Sequence, residues 1–65
     1  MNGILGEIGK ALIVLQDEGA VIIEKTEEIF VDEIVYYVEE TLKGVKAEYK
    51  TEELEPNVSI KITLQ

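Results

Sequence analysis

Carboxylates, lysine amines and phenols are the main side chains here that could do acid–base or ligand chemistry. The chain has fourteen Asp and Glu, six Lys and three Tyr, with no His, Cys, Trp or Arg and a single serine, Ser59. Whole classes of function fall away with the missing types. Without Cys or His there is no zinc site of the usual kind, no nucleophile–imidazole pair and no redox pair. An enzyme would have to rely on carboxylates, Lys and Tyr, and paired-carboxylate catalysis needs a cleft that raises one pKa. The expectation is a non-enzymatic protein with no catalytic residue, no cofactor and no metal.

The carboxylates gather in two places. Asp32, Glu33, Glu39 and Glu40 surround Tyr36 on one arc of a helical pattern. That arc is either a solvated face or a docking surface for a basic partner, with Tyr36 as an amphipathic anchor. Glu52, Glu53 and Glu55 sit near a turn at Pro56-Asn57. Their spacing does not match a calcium loop, and a polar turn accounts for them.

The lysines are unevenly placed. Residues 1–42 carry ten acids against Lys10 and Lys25, whereas residues 43–65 balance four acids with Lys43, Lys46, Lys50 and Lys61, so the whole net charge of −8 belongs to the first part. A chain this acidic is a poor general polyanion binder, because a duplex is gripped by cations that release its counterions. Strand alternation would put Lys46, Lys50 and Lys61 on one sheet face, the one place where nucleic acid could bind. Known sheet platforms for RNA add aromatic residues that stack on bases, and no outward position here is aromatic. Lysines that guard a sheet against aggregation are the simpler account.

Gly3, Gly6 and Gly9 recur every third residue within a helical pattern, each costing about 1 kcal/mol relative to alanine. They could be incidental glycines in a frayed helix start. They could instead form, with Ile13, a stripe that lets another backbone approach. A phosphate cradle is disfavoured, since no strand precedes them and no Gly-Lys-Ser/Thr follows.

The elements that would position these residues follow from hydrophobic period. Residues 3–18 read as a helix whose core arc holds Ile4, Leu5, Ile8, Ala11, Leu12 and Leu15, closed by Gly19. Ala20–Lys25 is short, β-branched and apolar on both faces, as a buried strand would be. Thr26 is a candidate N-cap for a second helix that runs to about Lys43 and stops at Gly44, with Val31, Ile34, Val35, Val38 and Leu42 inward. Its start lies between Glu27 and Asp32, and Ile29-Phe30 is either helical or extended. From Val45 the period is two: Val45, Ala47 and Tyr49, then Val58, Ile60, Ile62 and Leu64, face inward on two antiparallel strands. The fold class expected is α+β, a two-layer sandwich of order α-β-α-β-β with both helices on one face of a three-stranded sheet, forming one domain over residues 1–65.

Three stretches resemble the Alba-type nucleoprotein fold in hydrophobic pattern: Ala11-Leu12 through Leu15 to Gly19 followed by Val21-Ile22-Ile23; Ile34-Val35 with Val38-Glu39; and Val58-Ser59-Ile60-Lys61-Ile62. The resemblance implies that fold and a dimeric habit. The family's first strand and its basic loops, which carry nucleic-acid-binding lysines, have no counterpart, and Lys25-Thr26-Glu27-Glu28 is acidic where the family is basic.

At 65 residues the core is thin, and with no disulfide or metal to staple it, oligomerisation is the remaining support. The function expected is a small acidic protein–protein interaction module that self-associates, most simply as a dimer. The contacts would involve Gly6, Gly9, Ile13, Val21 and Ile23 through helix and strand-edge surfaces. A nucleic-acid-associated role, by the lysine face or by acidic mimicry, is the alternative. No run of apolar residues is long enough to span a membrane and no signal-peptide pattern opens the chain, so a cytoplasmic address is expected. The Glu, Lys, Ile and Val content is similar to that of hyperthermophile proteins.

Overall fold

The structure, a computed structural model, describes residues 3–65. Helix α1 spans Gly3–Glu18, strand β1 Ala20–Glu24, helix α2 Val31–Gly44, strand β2 Tyr49–Glu55 and strand β3 Ser59–Leu64. The expected order α-β-α-β-β is what the chain adopts. The strands form one antiparallel sheet of order β1-β3-β2, so the last strand is central and β1 and β2 are its two edges. Both helices pack against each other and against β1 and β3.

The core is the meeting of two periods. Every 3.6-residue position on α2's inner arc is buried: Val31, Ile34, Val35, Val38 and Leu42. From α1 come Ala11 and Leu15, and from the sheet Val21, Ile23 and Ile62. Across the sheet Val21 pairs with Ile62 and Ile23 with Ile60, so one face of β1 and β3 is apolar where the helices lie on it. Each fully buried Leu or Ile contributes about 1.5–3 kcal/mol.

Helix ends follow from local chemistry. Gly19 takes φ +80° and its N–H donates to the Leu15 carbonyl at 2.8 Å, a left-handed cap that turns the chain straight into β1. Helix α2 ends at Gly44 as expected, and the left-handed residue beyond it is Lys46 (φ 59°). Lys46 N–H donates to the Lys43 carbonyl and Ala47 N–H to that of Leu42, the paired bonds of a Schellman cap.

That cap overturns part of the sequence reading. Val45 and Lys46 belong to the helix exit, so the second strand begins at Tyr49, and Lys46 is not on the sheet. Thr26 likewise caps a different structure. Its hydroxyl accepts from the N–H groups of Glu28 and Ile29 at 3.2 and 2.9 Å, closing a turn before α2, while Phe30 in extended conformation precedes the helix without a side-chain cap. Two further expectations fail on exposure. Leu5, at the margin of the α1 arc, is 81% exposed, and β1 is not buried on both faces, since Ile22 is 55% exposed.

Candidate functional site

The two edges of the sheet are built differently. Strand β2 carries Lys50, Glu52, Glu53 and Glu55 among its seven residues, and its pairing with β3 is broken by an irregularity at Glu53–Glu55. Charges and a bulge on an edge strand are the usual obstacles to further strand pairing. Strand β1, Ala20-Val21-Ile22-Ile23-Glu24, has one charge and a regular register along its whole length. It has no such guard.

The backbone of β1 says which groups are free. Leu64 N–H donates to the Gly19 carbonyl at 2.8 Å, and Lys25 N–H donates to the Val58 carbonyl at 2.9 Å, one at each end of the β1–β3 ladder. Hydrogen-bonded pairs alternate along an antiparallel ladder, so Val21 and Ile23 also bond to β3. The N–H and C=O groups of Ala20, Ile22 and Glu24 therefore point to the open edge. Beside that edge runs a groove of about 360 Å³ between β1 and α1, walled by Ala11, Val14 and Ile22 and flanked by Glu7, Lys10 and Lys25. Glu7 and Lys10 pair with each other at 3.6 Å.

The residues expected to mediate self-association are separated by the fold. Val21 and Ile23 are 8% and 4% exposed on the helix-covered face, so their side chains are core and only their strand's edge is reachable. Gly6, Gly9 and Ile13 lie on the face of α1 turned away from Ala11 and Leu15, with Ile13 62% exposed. A Cβ at Gly9 would meet nothing within 4 Å, so within one chain no backbone approaches it. Gly9→Ala is accordingly expected to stabilise the fold by about 1 kcal/mol in urea denaturation, the helix-propensity difference. A loss of stability instead would reveal a close contact at that site. Ile22 was hidden in the sequence, because an apolar run of this length does not show which of its alternating positions is left uncovered.

The acidic arc of α2 is displayed as expected. Asp32, Glu33 and Glu40 are exposed, Glu39 is half-buried, and Tyr36 is 55% exposed. Tyr36 meets its neighbour Tyr37 edge to face, ring centres 5.1 Å apart. Glu39 turns toward the sheet, where it acts on Tyr49. That phenol is held above its ordinary value of 10.0, first by loss of solvent around it and then by the Glu39 carboxylate, with Lys43 opposing. A raised pKa means the folded state holds the proton more tightly. This contribution to stability is whole below about pH 10 and is lost as pH rises through the folded value. We expect Glu39→Gln to bring the Tyr49 titration down, read by phenolate absorbance in a Tyr36→Phe/Tyr37→Phe background.

The lysine face is smaller than expected. Register places Lys50 and Lys61 on the side of the sheet opposite the helices, with Lys46 removed to the end of α2. Lys61 lies directly across from Glu52 on β2 and from Ile22 on β1, and Glu24 shares the face. Glu55, across from Ser59, lies on this face too, so two cations stand among three acids and the surface has no positive excess.

Among the described residues no group of three or more His, Cys, Asp or Glu is placed to hold a metal ion, and no helix is long and apolar enough to cross a membrane. Compared with protein-family models, curated proteins and solved structures, the chain finds no match.

Proposed function

We propose that this chain is a small, acidic, non-enzymatic interaction module that associates with copies of itself through the free edge of β1. One contrast carries the reading: of the two sheet edges, β2 is charged and bulged, while β1 is regular, nearly uncharged and leaves the backbone of Ala20, Ile22 and Glu24 unpaired. Unpaired strand edges pair with other strands unless something prevents it. The thin core supports the same reading, since burying more apolar surface between copies is the remaining way to reinforce 65 residues with no cysteine.

Light scattering across a dilution series tests it. A dimer mass at micromolar concentration, falling to monomer on dilution, with a melting temperature that rises with concentration, is the expected result. A monomer mass throughout, with a concentration-independent melt, would sink it.

A second role, docking of a basic partner on α2, is supported by the exposed Tyr36–Tyr37 pair set among Asp32, Glu33 and Glu40. Aromatic rings beside carboxylates suit lysine and arginine side chains, which combine charge with apolar stems. Binding of a lysine-rich peptide that weakens with salt and with Tyr36→Ala is the expected behaviour.

A further inference from the structure

Resting on the reading of β1 as a self-association edge, we infer its geometry: two copies pair their β1 strands antiparallel about a two-fold axis that passes through Ile22. The ladder that β1 makes with β3 runs from Gly19 to Lys25, and Ile22 is its midpoint. A two-fold axis at Ile22 sets Ala20 of each copy opposite Glu24 of the other, and Ile22 opposite itself. All three positions carry edge-facing N–H and C=O groups, and opposed residues of this kind exchange both bonds. Every free backbone group of Ala20, Ile22 and Glu24 is then satisfied.

Other arrangements do worse on the same criteria. Shifting the register by two residues leaves one of the three residues in each copy outside the paired set and puts Ile22 across from Ala20 or Glu24. Shifting by four in one direction opposes Glu24 to Glu24, and like charges directly opposite are destabilising. A parallel, in-register pair sets the two Glu24 residues side by side as well.

Charge at the ends of the pair favours the two-fold. Lys25 of one copy falls opposite Gly19 of the other, next to Asp17 and Glu18 at the end of its α1. On the uncovered face, Ile22 packs against Ile22, which accounts for an isoleucine that is 55% exposed in the single chain. Beneath the helices Val21 of each copy neighbours Ile23 of the other, extending the core across the axis. An interface formed by one patch against itself must be self-complementary, and this strand is.

The chain has no cysteine of its own, so single cysteines report the register cleanly. Ile22→Cys, Ala20→Cys and Glu24→Cys are each treated with a short bismaleimide. Ile22→Cys is expected to cross-link to itself. Ala20→Cys and Glu24→Cys are each expected to fail alone, their like sites lying about 13 Å apart along the strands, and to cross-link when mixed. Ile22→Lys, at an exposed position, should keep its circular dichroism while its dimer weakens by about 100-fold, from two lost isoleucine burials and two opposed cations.

A wild-type dimer mass with no Ile22→Cys cross-link, or an Ile22→Lys dimer as tight as wild type, overturns the two-fold register and leaves self-association standing. A monomer mass for the wild type overturns both.

Discussion

Replacing Leu15 with alanine is expected to cost about 3 kcal/mol in urea denaturation, within the 2–5 kcal/mol seen for buried leucine truncations. Leu15 is 1% exposed and joins Ile34, Val38 and Ile62 where both helices meet the sheet. The lost side chain leaves a cavity with walls on every side, so neighbours can close on it only in part. For 65 residues, total stability is roughly 3–10 kcal/mol, and this one change removes a large share of it. The same truncation at Leu5, 81% exposed on the same helix, should move stability by no more than about 0.5 kcal/mol. Equal losses at the two sites would mean that α1 packs with a different face inward.

Gly19→Val should be nearly as damaging, at about 2 kcal/mol or more, with no loss of apolar packing to explain it. Gly19 sits at φ +80°, where a side chain on Cβ crowds the following carbonyl and a β-branched one crowds it most. The residue is also a double junction: its N–H closes α1 on Leu15 and its C=O accepts from Leu64, the first rung between β1 and β3. Moving φ away from +80° breaks one of these bonds or the other. A valine variant as stable as wild type would show that the helix-to-strand turn has a second conformation of equal energy.

These two sites show where the sequence was readable. The inner arc of α2 and the alternation of β3 are long, strongly periodic segments, and each residue assigned inward there is buried or half-buried. Gly19 was legible because helices so often end on a left-handed glycine. The boundary at Val45 was not. Val45, Ala47 and Tyr49 fit a period of two, but the Schellman bonds of Lys46 and Ala47 hold the first part of that run to the helix, and this depends on a lysine taking φ 59°. Propensity argues against such a residue, so only the packed chain reveals it.

The candidate site was legible in outline and misplaced in detail. An exposed strand edge was expected, and the composition of β1 pointed to it. Which side chains it offers was not readable, because Val21, Ile22 and Ile23 are alike in type and differ only in which face the helices cover. The packing of α1 and α2 against β1 decides that, just as the strand order β1-β3-β2 decides that β1 is an edge, and both are long-range arrangements that no local pattern encodes. The lysine face shrank for a related reason: once β2 begins at Tyr49, register brings Glu52 opposite Lys61.

The irregular pairing between Glu53 and Glu55 has a consequence for size. Under the proposed pairing through β1, the described strands left at the margins of the widened sheet would be the two β2 strands. An edge with broken register that bears Lys50, Glu52, Glu53 and Glu55 is a poor template for another strand, so growth would stop at the pair. The same fold with a smooth, uncharged β2 would offer a sticky margin at each end and polymerise without limit. On the proposed pairing, the seven residues of β2 would be the terminator that makes the other border safe to leave open.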